Sequence, residues 1–369
     1  MNFELNDEQK MLQDTLRRLL DGNHKLDGDK ESSWSLLAEH GLFAALFSEQ
    51  HGGLGGSGFD LALIFEELGR AGSDDPVIDS ALICGCILMH LAQDSHTELI
   101  HRVVAGDVQL AMAHSEPATR YELHRVETRA DQHVLNGRKS GVFNAGNAEF
   151  LLVTARSPEE TANRDGIALY LLPANTAGVT IHSYEVTGGG SAAEVILHNV
   201  RLTERELLSI DALNAIESAN ASAIVALCAQ TLGAMETAVS MTCEYLNTRQ
   251  QFGRPLAGFQ ALAHRVADLQ IELAQARSAV ILAAGYLDAE TDMRDLHLSA
   301  AKNLLGRAGK LIAEETIQLH GGIGMTDEYR LGHFAKKIIM ADHRFGDVDY
   351  HLERFIALSG KSQSPVEHE

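Results

Sequence analysis

The stretch Tyr245-Leu246-Asn247-Thr248-Arg249-Gln250-Gln251-Phe252-Gly253-Arg254-Pro255-Leu256-Ala257-Gly258-Phe259-Gln260 decides how the chain is read. Upstream of it, Leu232, Met235, Val239 and Leu246 recur at helical spacing, which predicts a helix burying one face up to this point. Gly253 and Pro255 stop that helix, because proline has no N–H to donate and its ring collides with the preceding turn. Arg249, Gln251 and Phe252 therefore stand at a helix end, where side chains reach out of a bundle. A permanently charged fork beside an amide and an aromatic ring suits a phosphate joined to a flat heterocycle. The plainer reading makes Arg249 a helix C-terminal cation and Phe252 core filling. Spacing alone leaves both open.

Working outward, the pattern Tyr-x-x-x-Arg-x-Gln-Phe-Gly-x-Pro-Leu with the later Gln260 resembles the FAD-binding signature of the acyl-CoA dehydrogenase family. A second run resembles another signature of that family: Gln318-Leu319-His320-Gly321-Gly322-Ile323-Gly324-Met325-Thr326-Asp327-Glu328-Tyr329. So do the opening, Phe3-Glu4-Leu5-Asn6-Asp7-Glu8-Gln9, and the segment Trp34 with Leu37-Ala38-Glu39-His40-Gly41-Leu42. The likeness spans nearly the whole chain, and two long motifs in the right order are hard to obtain by chance. It implies a mainly α fold with an inserted β domain. The expected parts are a helical N-domain over 1–108, an antiparallel β domain over 109–205 and a C-terminal four-helix bundle over 206–360 that mediates oligomerisation, before a polar tail at 361–369. The resemblance also implies one FAD touched by Gln318, Gly321 and Gly322, with Arg249, Gln251, Phe252 and Gln260 contributing across a subunit interface. Ser115 would stand beside the flavin ring. A helix C-cap at Gly321-Gly322 is compatible with a cofactor lying on bare backbone there.

Composition sets the bounds. A chain of 369 residues implies two or three domains and buries enough surface to need no disulfide staples. Cys84, Cys86, Cys228 and Cys243 show no metal spacing and fall in apolar helical runs, which reads as reduced, buried thiols in a cytoplasm. No basic region followed by an apolar core opens the sequence, so no signal peptide is expected. The longest apolar runs are interrupted before membrane-spanning length. A formal net charge of −21 at pH 7 argues against nucleic acid and anionic membrane surfaces as partners.

In chain order, Asn6 and Gln9 predict a capping arrangement, followed by one apolar face of Met11, Leu12, Leu16, Leu19 and Leu20. Gly53, Gly55 and Gly58 spell a formal G-x-G-x-x-G, but no alternating strand and helix pattern surrounds it, so it reads as a turn between helices. From about 109 the period shifts from 3.6 to 2. Ala193, Val195 and Leu197 alternate with more polar neighbours, and 151–154 and 167–172 are short strand-like runs, with turns expected at Asn136-Gly137 and Gly188-Gly189-Gly190. From about 208 the chain is helical again, with stripes at Leu262, Val266, Leu269, Leu273, Ala276 and Val280, and at Ala300, Leu304, Leu311, Ile312 and Leu319.

The family reaction takes a proton from the α carbon of an acyl-CoA thioester and passes the β hydrogen to a flavin. It needs a carboxylate base and hydrogen bonds to the thioester oxygen. The sequence departs from the family pattern in two places. Ser115-Glu116-Pro117 resembles the Thr-Glu-Pro run beside the flavin, but 118–122 lacks the Gly-Ser-Asp element. Asn136-Gly137-Arg138-Lys139 matches Asn-Gly-x-Lys, yet Gly141 takes the position of the flavin-covering Trp and Phe143 that of the Thr. At the base position the family Glu is replaced by Asp342, one methylene shorter, and the alternative base position carries Ala223. Asp342 is thus the sole candidate base by position; a turn or cap carboxylate is its plain reading. Asp342, His343, Asp347, Asp349 and His351 also admit a metal-ligand reading, but no metal is expected because their spacing matches no helical metal motif.

Three functions follow. The first is a self-sufficient FAD-dependent acyl-CoA dehydrogenase. The second is a non-catalytic subunit completing the FAD site of a catalytic paralogue, and the third is a flavin oxidase or monooxygenase on the same fold. The tail Phe345-Gly346-Asp347-Val348-Asp349-Tyr350-His351 resembles small subunits of heteromeric family members acting on pimeloyl-, sterol- or steroid-derived CoA esters. The expectation is one half of a heteromeric, α₂β₂ enzyme acting on a bulky acyl-CoA. Its partners would be a paralogous subunit and an electron-transfer flavoprotein or similar acceptor.

Overall fold

The structure, a computed structural model, describes residues 5–22, 33–47, 49, 52–91, 96–157 and 164–362. Phe3, Glu4 and the polar tail from 363 lie outside the described residues. Among the described residues, five α-helices come first: α1 (Asp7–Gly22), α2 (Ser33–Glu39), α3 (Gly58–Ala71), α4 (Cys84–Leu91) and α5 (Thr97–Ala105). Eight strands follow: β1 (Leu110–Ala113), β2 (Arg129–Asp131), β3 (Val134–Phe143), β4 (Phe150–Ala155), β5 (Ala168–Pro173), β6 (Val179–Glu185), β7 (Ser191–Arg201) and β8 (Leu207–Ser209). The long α6 (Leu213–Thr248) leads into a short hairpin, β9 (Gln250–Gln251) and β10 (Arg254–Pro255). Then come α7 (Gln260–Gly285), α8 (Thr291–His320), α9 (Arg330–Asp342) and α10 (Val348–Ser362). Helix makes up 57% of the chain, so the fold is mainly α with an inserted β region, as the sequence implies.

The chain packs as two compact units that draw on separated stretches of sequence: Met1–Asp27, Ser57–Ser73 and Ile224–Glu369 in one, Gly28–Gly56 and Asp74–Ala223 in the other. The first is helical. Its α1 opens on the expected capping box, with the Asn6 Oδ1 accepting from the Gln9 N–H at 2.8 Å and the Gln9 Oε1 accepting from the Asn6 N–H at 3.1 Å. Leu16 and Leu20 are buried, while Met11 turns to solvent, so the apolar face of α1 is narrower than its leucines and methionine suggest. The glycine-rich run ends in a second capping box, in which the Ser57 side chain accepts from the Asp60 N–H at the start of α3. That accounts for Gly58 without any nucleotide. Helices α3 and α6 cross so closely that a Cβ on Gly69 would run into the Gln230 carbonyl, and one on Gly233 into the Glu66 carbonyl. Arg277 of α7 adds a tie, pairing with both Glu66 and Glu236.

Helix α6 is long and apolar enough to cross a membrane by length and composition, contrary to the expectation that every apolar run is too short. However, 72% of that stretch is buried inside the protein, which marks a core helix. On α8 the buried line runs through Leu298, Ala301, Leu305, Ala308 and Ile312, whereas Leu311 is exposed and Ala300 and Leu304 are half-buried. Ile312 and Leu319 of the predicted stripe are buried, but the rest of it is rotated, and the buried line carries a lysine, Lys302.

The second unit holds two four-stranded sheets, ordered β1-β4-β5-β8 and β2-β3-β7-β6. Their shared core includes Leu135, Val142, Leu151, Val153, Leu172, Ala193, Val195 and Leu197. Pairing is antiparallel except between β1 and β4, which run parallel. The glycines at 188–190 turn β6 into β7 with positive φ at all three, as expected. The turn predicted at Asn136-Gly137 is elsewhere. Gln132 and His133, at φ 44° and 64°, make the β2–β3 hairpin turn, and Asn136-Gly137 lies inside β3 at a register shift. A glycine is needed there because a Cβ would strike the Thr128 side chain.

Candidate functional site

In the helical unit the two signatures meet. Tyr245, which opens the first, stacks on His320 of the second with ring centroids 4.5 Å apart, and His320 in turn faces Tyr329, which closes the second, at 5.2 Å. The ring of His320 is 3% exposed; burial pulls it below the ordinary imidazole range, so it is neutral at pH 7 and packs as an aromatic. Arg249 lies one turn beyond Tyr245, its N–H donating to the Tyr245 carbonyl at 2.8 Å. The Tyr245–His320 stack thus brings the end of α6 and the end of α8 to one end of the unit.

The sequence-predicted cofactor residues of this unit, Arg249, Gln251, Phe252, Gln260, Gln318, Gly321 and Gly322, are all exposed. Phe252 is 90% exposed at the tip of the β9–β10 hairpin, with φ at 54°, a left-handed backbone that a bulky residue adopts only under constraint. Core filling is thereby ruled out for it. Behind it, Phe259 sits edge-on at 6.2 Å and carries the Arg254 guanidinium over its face at 3.9 Å. Gly321 caps α8 at φ 65°, its N–H donating to the carbonyls of Gln318 and Ile317. Nothing lies within 4 Å of where a Cβ would stand on Gly321 or Gly322. Bare backbone, three exposed glutamine amides, an exposed ring and guanidinium groups are a donor set that fits phosphates joined to a flat heterocycle.

In the β unit, exposed Ser115 follows β1, and its carbonyl accepts from the Ser140 N–H at 2.9 Å, so the two predicted flavin-facing runs lie side by side. Gly141 is at φ 62° with open space where a side chain would be; Phe143 pairs with Ala192 and is half-buried. Beneath them is a buried cluster that the motif letters alone do not reveal. Lys139, fully buried, donates to Glu116 Oε1 at 2.7 Å, to Thr154 Oγ1 at 3.0 Å and to the His114 carbonyl at 3.2 Å. Glu116 also accepts from the N–H groups of Glu127 and Thr128 at 2.6 and 3.0 Å and from the Thr128 hydroxyl at 2.7 Å. Burial pushes the Glu116 carboxyl up, but Lys139 and these donors outweigh it and hold it below the ordinary range. Burial draws Lys139 down to about 8.

Asp342, the candidate base, is the last residue of α9, and its side chain is 24% exposed. It faces α8: a Cβ added to Gly306 would collide with its Oδ1, which is buried and accepts no hydrogen bond. Lys302 Nζ stands 3.9 Å from that oxygen. Burial raises the Asp342 carboxyl above its ordinary range, against the pull of Lys302. Ala223, at the alternative base position, is a fully buried methyl group. The metal-ligand reading fails at His351, whose Nε2 donates to the Phe345 carbonyl at 2.9 Å and whose Nδ1 faces the Ser299 hydroxyl. Among the described residues no cluster of His, Cys, Asp and Glu could hold a metal. The signal for Lys302 was available in sequence, since a lysine beside Ala301 in the 298–301–305–308–312 phase of α8 has to be buried.

Three consecutive families match the chain: the acyl-CoA dehydrogenase N-terminal domain over residues 6–107, the middle domain over 111–200 and the C-terminal domain over 215–354. YngJ of Bacillus subtilis (strain 168), named a probable acyl-CoA dehydrogenase, is 27% identical over 353 residues, covering 89% of this chain and 92% of its own. Among solved structures, the Tcur3481–Tcur3483 steroid ACAD superposes with a TM-score of 0.82 at 26% identity over 96% of this chain and 98% of its own. The ChsE4–ChsE5 complex from Mycobacterium tuberculosis superposes at 0.85 with 21% identity over 99% of this chain and 100% of its own, a likeness of fold.

Proposed function

The chain belongs to the acyl-CoA dehydrogenase family, and on that premise we propose that it acts as one subunit of a heteromeric, FAD-dependent acyl-CoA dehydrogenase whose acyl group is bulky. The observation that carries the reading is an asymmetry within one chain. The signature end is complete and turned to solvent, with Phe252 90% exposed. By contrast, Asp342 is packed against α8 and Gly141 leaves open the place of a covering side chain. A chain of that kind offers Arg249, Gln251, Phe252, Gln260, Gln318, Gly321 and Gly322 to the phosphates and outer ring of an FAD. Its own contribution around Ser115 lacks the covering Trp and Thr, with Gly141 and Phe143 in their places. Bound there, the cofactor accepts the electrons released when the Cα–Cβ bond is desaturated. The open space where a Gly141 side chain would stand supports a wide acyl group in this reading. Two neighbours point the same way, one named as a complex of two chains and one as a steroid ACAD. An electron-transfer flavoprotein or similar acceptor and a cytoplasmic setting complete the proposal.

The test is co-expression with a paralogous acyl-CoA dehydrogenase, followed by intact-complex mass and a flavin spectrum. Colourless protein alone and a yellow α₂β₂ complex with the partner are expected. A yellow homotetramer with four FAD that oxidises acyl-CoA unaided would overturn the reading. A competent homotetramer is the second reading, favoured by the retained carboxylate at Asp342. If it holds, Asp342→Asn lowers the rate by orders of magnitude with FAD still bound.

A further inference from the structure

The loop from Asp342 to Val348 gives its carbonyls to side chains that rise from the bundle. Lys302 Nζ donates to the carbonyl of Asp342 at 3.1 Å and to that of Gly346 at 2.8 Å. His351 Nε2 takes the Phe345 carbonyl at 2.9 Å, and Asn303 Nδ2 takes that of Val348 at 2.9 Å. Phe345 and Gly346 are held at φ 56° and 108°, so the loop carries left-handed backbone that these donors must stabilise. Lys302 and His351 are 2% and 1% exposed. An ammonium so buried, donating to two carbonyls of one loop and lying 3.9 Å from that loop's carboxylate, does more than fill space.

We propose that Lys302 is a positioning residue for the α9–α10 loop. Its ammonium holds the loop through the Asp342 and Gly346 carbonyls and draws the Asp342 carboxylate onto α8 at Gly306. Gly306 is the other half of the latch, since only a residue without a Cβ leaves room for the Asp342 Oδ1. Asp342 can then serve as a base only if the latch opens, and in the closed arrangement it is the counter-ion of Lys302. The latch lies within one chain and does not rest on the heteromeric reading, so either can fail alone.

The charged and titratable groups around Lys302 are Asp342, Asp347, Arg344 and Cys228, with His343 and His351 beside the loop. Burial pushes Cys228 up to about 12 and draws His351 down to about 4, so neither changes charge near neutrality. All the variants below, and the reference chain they are compared with, carry His343→Asn, so that the ring beside the loop is replaced by the same neutral amide in each. The full chain is measured in whatever assembly it purifies in, as wild type and as Lys302→Met, Lys302→Gln and Lys302→Met/Asp342→Asn. Hydrogen exchange over residues 342–351 should speed up about tenfold or more in Lys302→Met, because the loop loses two of its four anchors. The gain should be smaller in Lys302→Gln, whose amide still reaches one carbonyl.

The second readout is pH dependence. Without its counter-ion the half-buried Asp342 carboxylate is penalised only when ionised. Lys302→Met should therefore lose about tenfold more of its folded population at about pH 8 than at about pH 5 relative to wild type, and Asp342→Asn should abolish that difference. A lysine that merely fills space predicts the same loss at both values. Unchanged exchange in Lys302→Met, or a loss independent of pH and of Asp342, overturns the proposal. If Lys302→Met does not fold, Lys302→Gln is put through the same two measurements, and the same outcomes support or overturn the latch.

Discussion

The two buried lysines, Lys139 in the β unit and Lys302 in the helical unit, show how differently one chain treats the same chemistry. Lys139 is in hydrogen-bond contact with Glu116 at 2.7 Å, and that carboxylate takes three more donors, so every lone pair that matters is satisfied. Lys302 stands 3.9 Å from Asp342, spends its protons on backbone carbonyls and leaves one carboxylate oxygen without a hydrogen bond. A closed pair fixes structure, because the Coulomb energy and the hydrogen bonds coincide. An open pair leaves the carboxylate raised rather than lowered in pKa, and so leaves its charge adjustable.

The largest expected effect breaks the closed pair. Lys139→Met strands a buried carboxylate and should cost about 3–5 kcal/mol, read as the midpoint of chemical unfolding of the full chain. Glu116→Gln should cost nearly as much, since it also weakens the turn that receives the Glu127 and Thr128 N–H groups. A loss under about 1 kcal/mol for either would mean that the pair is not closed in solution.

Next comes the exposed end. Arg249→Ala and Phe252→Ala should leave the unfolding midpoint of the cofactor-free chain within about 0.5 kcal/mol of wild type, as both side chains are exposed. Their cost falls on FAD. Binding in the assembled protein, followed by flavin fluorescence, should weaken by about 1.5–3 kcal/mol for Arg249→Ala, the range of charge-assisted hydrogen bonds. A variant that unfolds without FAD but binds it normally would place Arg249 in structure instead.

How much of this could be read in the sequence depended on whether a residue's meaning was local. The capping box at Asn6, the end of α6 before the hairpin and the Gly321 cap follow from neighbours in the chain, and each is in place. The Asn136-Gly137 turn failed because the same dipeptide serves a bulge when the opposing Thr128 side chain demands a glycine, a fact that lies across the sheet. The α8 stripe held at Ile312 and Leu319 and failed at Leu311 for a related reason: a stripe drawn through Leu311 leaves Lys302 off the core face, though the helical phase through Ala301 and Leu305 places the lysine inside. Asp342 is located by its match to a pattern, which says where a residue stands but not which way its carboxylate turns.

A smaller effect sharpens the open pair. Ala is the better helix former by about 1 kcal/mol, so Gly306→Ala in the middle of α8 should stabilise if nothing opposed it. The added Cβ would meet Asp342 and Val348, and net destabilisation of about 1–3 kcal/mol is expected. Combining it with Asp342→Ala should recover part of that loss; equal losses in both backgrounds would remove Asp342 from the contact.

The smallest effect is the one whose sign matters most. Asp342→Asn keeps an acceptor for the Val348 N–H, removes an ionisable group whose carboxyl is raised by burial and leaves Lys302 its two carbonyls. The net change at neutral pH should be within about 1 kcal/mol, on the stabilising side. A carboxyl raised in the folded state is penalised once the pH climbs above its unfolded value of about 3.9, so the advantage of Asn should be absent in acid and grow toward neutrality. Glu116 runs the other way. Its carboxyl is lowered, so its contribution is present above the unfolded value of about 4.3 and is lost as the pH falls through the folded one. Glu116→Gln should accordingly hurt most at neutral pH and least in acid. Unfolding midpoints for the two variants, taken from about pH 3.5 to about pH 7.5, should diverge with rising pH. If Asp342→Asn instead follows Glu116→Gln downward, the helical unit's pair is as closed as the β unit's, and the contrast between the two lysines is lost.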